Sequence, residues 1–211
     1  MLGATNFITR HAFNFLISFT LFTVFALNLN MEFVGFALLF GGYYVSNLVI
    51  LNIQKSKRSK ALGITKADYN LIEAQLKQAR DRVNQLSQQR VRSIKSFRLL
   101  NDMSKVSRRL LNIVDKNPHK FYAVEDFFYS HLPSAVELAD KYTLLTKEQV
   151  KGTDIHLALE ETRKTLKVLN ETFEDDLRSA LQSDIDHLKI ELDFAKLEHE
   201  KRQERLSGGD H

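Results

Sequence analysis

The side chains best equipped for chemistry in this 211-residue chain lie close together: Asp184-x-x-His187, with Glu191 four residues on. On a helix, spacings of three and four put all three on one face. Such a face can hold a divalent metal if a facing helix supplies more ligands, or move a proton in hydrolysis. A second pair, His156 and Glu160, sits on the same predicted helix, but 31 residues of helix separate His156 from His187, about 46 Å. The two groups therefore cannot share a metal. The helix expected to face them, residues 66–116, contains no His, and His119 and His131 fall in an aromatic segment near its far end. Asp184 also flanks the core position Ile185, where an edge carboxylate commonly pairs with a basic helix. Asp184, His187 and Glu191 are thus catalytic candidates for a hydrolase, with a salt-bridged face as the stronger reading. No cofactor is predicted, and a divalent metal enters only with the hydrolase alternative. The chain has no Cys, which excludes thiol and cysteine–metal chemistry, and it lacks both a GxxxxGK phosphate loop and a GxSxG elbow.

The elements that must position these residues begin at a hydrophobic stretch. From Ala12 to Gln54 the only formally charged side chain is Glu32. A helix with no polar stripe has no face to offer water. The break at Asn30-Met31-Glu32 divides the run into two spans, Ala12–Leu29 and Phe33–Ile53, each about 27 to 32 Å long as a helix, near the ~30 Å of a hydrocarbon core. A transmembrane helical hairpin over 12–53 is predicted, after a cytoplasmic N-terminus of residues 1–11. Gly35, Gly41 and Gly42 allow its helices to approach closely. Arg10 precedes the first span, and Lys55, Lys57, Arg58 and Lys60 follow the second in a basic linker, 54–64, while the short connection carries no Lys or Arg. The positive-inside rule places both termini and the main domain on the cytoplasmic side of the cell membrane, with the basic cluster at the anionic leaflet.

The remaining domain, 65–205, has little Pro or Gly, which predicts long helices. Thr65 with Asp68 caps the first. Tyr69, Ile72, Leu76, Ala79, Val83 and Leu86 then form a narrow seam of coiled-coil spacing. After the polar break Ser87-Gln-Gln-Arg90 the stripe resumes through Phe97, Leu100, Met103, Leu110 and Val114, and Asn117-Pro118 ends it. Phe121, Val124, Phe128 and Leu132 share the next face, where FYAVEDFFY reads as core packing rather than a ligand box. Ser134-Ala-Val-Glu137 reads as a capping box, and Gly152-Thr153 opens a last helix to about Glu204. Its late seam is Leu181, Ile185, Leu188, Leu192 and Ala195. Residues 77–109 carry ten Lys/Arg against two Asp, and residues 154–195 carry eleven Asp/Glu against five Lys/Arg. These charges favour antiparallel pairing of two helices of about 50 residues, so the expected fold is all-α: a long antiparallel helical stalk with a three- or four-helix head, then a disordered tail, 206–211. The same basic face, Arg92, Lys95, Arg98, Arg108 and Arg109, suggests an anionic lipid or nucleic acid. Nucleic acid is disfavoured because the acidic helix offsets that charge.

The segments VRSIKSFRLLNDMSKVSRRLLNIV, KNPHKFYAVEDFFYSHLPSAVELADKYTLL and ETRKTLKVLNETFEDDLRSALQSDIDHLKIELDFAK resemble the bacterial XpaC-like proteins, the 5-bromo-4-chloroindolyl phosphate hydrolysis family. The resemblance covers about residues 65–197, and the preceding hairpin is similar too. It implies a phosphatase-related phenotype and, as a protein partner, a TelA-like toxic-anion (tellurite) resistance protein. It brings no catalytic residue set. The expected function is therefore a membrane-anchored cytoplasmic helical adaptor, acting with such a partner in envelope stress. The alternatives are a hydrolase of indolyl phosphate-type monoesters and a binder of anionic lipid or nucleic acid. Expected partners are the lipid bilayer, the TelA-like protein and, as a further candidate, a second copy of the chain.

Overall fold

The computed structural model describes residues 4–28, 32–89, 94–147 and 152–207; the side chains of 4–7, 10, 25–28, 32–39, 94–95 and 204–207 lie outside that description. Every regular element among the described residues is helical: α1 (Ala4–Asn28), α2 (Glu32–Ala61), α3 (Lys66–Gln88), α4 (Ile94–Lys116), a 3-10 segment (Pro118–Val124), a π-helical turn (Phe127–His131), α5 (Leu132–Lys147) and α6 (Thr153–Ser207). The chain divides into two compact units, Met1–Leu71 and Ile72–His211.

In the first unit α1 and α2 pack against each other as an antiparallel hairpin. Asn14 meets Ser46 and Asn47, and Ser18 lies opposite Gly42, so the register is symmetric about residue 30. The helices come close at Gly42, where a Cβ would stand 3.2 Å from Leu21 Cδ1, so that side chain would have to shift by a few tenths of an ångström. Gly41 faces open space, and Gly35 is outside the described side chains. Among the described residues no helix is long and apolar enough to cross a membrane. The expected transmembrane hairpin is therefore described as a helical hairpin with no span shown. Asn14, Ser18, Thr20 and Thr23 dilute the described part of α1, and residues 29–31 and the side chains of 25–39 lie outside the description. Two boundaries also move. α1 begins at Ala4, ahead of the expected Ala12, and α2 continues to Ala61, so the basic linker is the end of a helix. Arg58 and Lys60 occupy its last turn, where cations complement the helix dipole. Gly63, at φ +67°, terminates it, with the Ile64 N–H donating to the Ser59 carbonyl at 3.1 Å.

α3 opens as expected: the Asp68 N–H donates to Thr65 Oγ1 at 3.1 Å. Its seam, Tyr69, Ile72, Leu76, Ala79, Val83 and Leu86, is buried throughout. The expected 50-residue helix over 66–116 is not formed. α3 stops within the polar run 87–90, the Gln89 N–H reaching back to the Leu86 carbonyl, and α4 is a separate helix. Arg80 pairs with Asp115 at 3.3 Å and Arg108 donates to Ser87 at 3.3 Å, contacts that set α3 and α4 antiparallel. The stalk expected from α3 and the end of α6 is thereby corrected. The α3 seam is buried, whereas Leu188 and Leu192 are 55% and 52% exposed. The physical reason is that four polar residues, Ser87 to Arg90, interrupt the hydrophobic stripe, and a chain that can fold back between α3 and α4 buries α3 locally.

The core of the second unit lies where α4, α5, the 3-10 segment and the π turn meet the first half of α6. Phe121, Phe127, Phe128 and Phe173 are fully buried, with Phe121–Phe128 ring centroids 4.9 Å apart and Phe127–Phe173 at 5.1 Å. The phenylalanines of this run are thus core, and of its aromatic side chains Tyr122 and Tyr129 face outward. The capping box expected at Ser134 is absent, because helix already runs through it. Pro133 has no N–H to donate, and the turn before it widens, the Leu132 N–H reaching the Phe127 carbonyl five residues back. The expected tail falls partly within α6, which reaches Ser207; residues 208–211 are outside the description.

Candidate functional site

The hairpin carries the least ordinary arrangement of side chains. Several of its polar groups point inward: Asn14 is fully buried, accepts from Ser46 Oγ at 2.6 Å and donates to Asn47 Oδ1 at 3.3 Å. His11 hydrogen-bonds Tyr43, and Ser18 is buried as well. Its apolar groups point outward: Leu16 is 64% exposed and Phe40 71%, with Phe13, Phe15, Phe19, Val45, Leu48 and Val49 also exposed. A water-facing hairpin would bury the second set and expose the first. Asn14, Ser46 and Asn47 are thus hydrogen-bonded across the helix pair, with large apolar side chains on its outside.

The sequence-derived catalytic group does not assemble. Asp184, itself exposed, forms an ion pair with Lys120 of the 3-10 segment, whose side chain is nearly buried. His187 and Glu191 follow on the same face of α6 and are exposed. Among the described residues no three His, Asp or Glu side chains converge as a metal site. His156 lies in the first turn of α6, and Glu160 is bound by Arg163 at 2.6 Å, which holds its carboxyl below the usual range.

A pair the sequence reading did not single out lies between the π turn and α6. His131 Nδ1 stands 2.8 Å from Asp176 Oδ2, both side chains largely enclosed. Burial raises the Asp176 carboxyl above its ordinary value, outweighing the opposing bond to His131, and Asp126 and Asp175 add to the rise. Nearby, Arg82 donates to the Phe128 carbonyl at 3.2 Å. The 45-residue separation of His131 and Asp176 leaves no short motif, and only a correct helix register across the core would have paired them. A His–carboxylate pair can carry a proton or simply satisfy two polar groups beside an aromatic core.

Of the basic face, Arg98, Arg108 and Arg109 are exposed on α4; Arg92 lies outside the described residues, as does the Lys95 side chain. The acidic residues of α6 pair largely along their own helix, as in Arg178–Asp175, Lys189–Asp186 and Lys196–Asp193. Among the described residues, Lys120–Asp184 and His131–Asp176 are ion pairs that α6 makes with other elements, and both partners come from the segment 118–131 rather than from the basic helix.

Comparison with known proteins agrees with the helical segments quoted above. The family model described as "5-bromo-4-chloroindolyl phosphate hydrolysis protein" matches residues 6–195, taking in both units. Protein XpaC of Bacillus subtilis (strain 168) is 36% identical over 135 residues, 63% of this chain and 66% of that protein, so the match spans just under two thirds of the relative. No solved structure matches the chain. A family match over nearly the whole length, with the Bacillus relative beside it, places this chain in the XpaC family of 5-bromo-4-chloroindolyl phosphate hydrolysis proteins.

Proposed function

We propose that this protein is a membrane-seated helical adaptor: the α1–α2 hairpin is embedded in lipid and holds the α3–α6 body on the cytoplasmic side of the bilayer. The observation that carries this reading is the hairpin's inverted polarity, with Asn14, Ser18, Ser46 and Asn47 inside and Leu16, Phe19, Phe40 and Val45 outside. In water, leaving such a surface uncovered forfeits about 1.5–3 kcal/mol for each large apolar side chain. In lipid it costs nothing, and the inward hydrogen bonds are retained. Lys55, Lys57, Arg58 and Lys60 at the end of α2 suit the anionic cytoplasmic leaflet, each worth about 1 kcal/mol when close to it. A TelA-like toxic-anion resistance protein, implied by the family resemblance, is the partner to seek by co-purification. In this reading the indolyl phosphate phenotype is indirect.

A second reading is favoured by the family description and the His131–Asp176 pair: hydrolysis of an indolyl phosphate monoester, with His131 as the proton carrier. The experiment that separates the two is hydrolysis of 5-bromo-4-chloroindolyl phosphate by purified full-length protein, with and without Mg²⁺, Mn²⁺ or Zn²⁺. His131→Ala and Asp184→Ala/His187→Ala are run beside it. The adaptor reading expects no turnover above the protein-free blank under any condition. Turnover that disappears in either variant makes the protein a hydrolase and ends the claim that the phenotype is indirect.

A further inference from the structure

From residue 182 to 203 α6 is exposed on every side. Its first half is anchored to the core through Leu166, Phe173 and Ala180, which lie on one line of the helix. The later apolar residues do not continue that line. Leu181, Ile185, Leu188, Leu192 and Ala195 follow spacings of four and three, forming a stripe about 80° round the helix from the anchoring line. The core therefore occupies a neighbouring face: it half-covers Leu181 and leaves Ile185 37%, Leu188 55% and Leu192 52% exposed.

We propose that residues 181–195 of α6 are a self-association surface that joins two copies of this chain as a short parallel coiled coil. In heptad terms Leu181, Leu188 and Ala195 stand at d, and Ile185 and Leu192 at a. A β-branched a residue with Leu at d is a dimer preference. The flanks choose the orientation. The g positions are Asp184, Glu191 and Glu198, and the e positions after the seam starts are Lys189 and Lys196. In a parallel pair each g residue faces the e residue five places on in the other helix. Glu191 then meets Lys196 of the second copy, and the reciprocal pair forms on the other side. An antiparallel pair would set acid against acid and base against base. Lys120 already holds Asp184, so the charge selection rests on Glu191 and Lys196, both exposed, with Lys196 giving up its loose 3.9 Å contact to Asp193 of its own helix.

A second exposed stripe, Ile190, Phe194 and Leu197, runs along the opposite face. It is bordered by Asp186 and Asp193 on one side and by Glu191 and Glu198 on the other. Two copies of that stripe would repel, which leaves the first seam as the one suited to a like partner. The seam is only about two heptads long, so the dimer is expected to depend on concentration.

The test uses the full-length chain, which has no cysteine of its own. Leu188→Cys, Ala195→Cys and, as a control on the opposite stripe, Ile190→Cys are each purified singly and oxidised over a concentration series. A parallel, in-register pair brings each d residue against its own copy, so both Leu188→Cys and Ala195→Cys should give disulfide dimers and Ile190→Cys should not. Adding Glu191→Lys to Leu188→Cys should raise the concentration for half-maximal crosslinking roughly tenfold, by replacing two attractive pairs with repulsive ones. Adding Lys196→Glu as well should restore it. Crosslinking at only one d position would mean an antiparallel crossing, crosslinking at Ile190→Cys would assign the other stripe, and no crosslinking would mean no pair. Each of these results overturns the proposal.

Discussion

Substituting Leu16 by Asp separates a hairpin in lipid from one in water. Leu16 lies midway along α1, Ala4–Asn28, and is 64% exposed in the hairpin. If water surrounds it, Leu16→Asp removes a surface leucine and stays within about 0.5 kcal/mol, roughly a twofold effect. If acyl chains surround it, the change forfeits about 0.3–0.6 kcal/mol for leucine and adds about 2.5–3.5 kcal/mol for aspartate. The sum, about 3–4 kcal/mol, is two to three powers of ten in the insertion equilibrium. Ile8, also outward but eight residues nearer the start of α1, should be markedly less sensitive to the same substitution. The assay is cell-free synthesis of the full-length chain with liposomes, followed by alkaline extraction and flotation, comparing the unsubstituted chain, Leu16→Asp and Ile8→Asp. The account expects the floated fraction to collapse for Leu16→Asp and to fall much less for Ile8→Asp. Equal flotation of all three would refute the reasoning, since a lipid-facing carboxylate in mid-helix cannot be neutral.

Other expectations concern the helical body. Phe173→Ala removes a fully buried ring packed on Phe127 and should cost about 3–5 kcal/mol, whereas Phe194→Ala, at a position 65% exposed, should stay within about 0.5 kcal/mol; urea unfolding followed by circular dichroism measures both. For Asp176 the folded-state carboxyl binds its proton more tightly than the unfolded one, whose ordinary value is 3.8. Stability from this group is therefore full below that value and declines as pH rises through the window above it. Asp176→Asn should flatten that part of the stability–pH profile and gain on the parent toward neutrality; a profile identical to the parent's would show that Asp176 is not the buried, penalised carboxyl described here.

Local patterns in the sequence were legible wherever a short range of residues decides the outcome. The α3 seam from Tyr69 to Leu86, the Thr65–Asp68 cap and the buried run Phe121, Val124, Phe128 and Leu132 all follow from helical periodicity. What periodicity does not fix is which seam meets which. Residues 87–91 could continue a helix or reverse it, and the reversal that pairs Arg80 with Asp115 decides that α3 packs locally. The late seam of α6 was recognised as a seam, but its exposure could not be read from its own residues, because it depends on where α3 goes. The same limit hid His131 and Asp176, which meet only once the π turn ahead of Pro133 sets the register of the aromatic segment. From the sequence, Asp184 is a catalytic candidate or an edge carboxylate. The structure gives it to Lys120, a cation from the aromatic segment rather than from the basic helix.

The central claim, that lipid covers the outside of the hairpin, is tested most directly by where acyl chains reach. Single cysteines placed at Leu16 and Val45 on the outer face, and at Ser18 on the inner face, would be labelled with an environment-sensitive fluorophore in full-length protein reconstituted into vesicles whose acyl chains carry bromine. The account predicts strong quenching at positions 16 and 45 and clearly weaker quenching at 18, where the opposing helix stands in the way. Equal, water-like emission at all three with no quenching would contradict it, and would mean that the exposed apolar face of α1 and α2 is covered by something other than lipid.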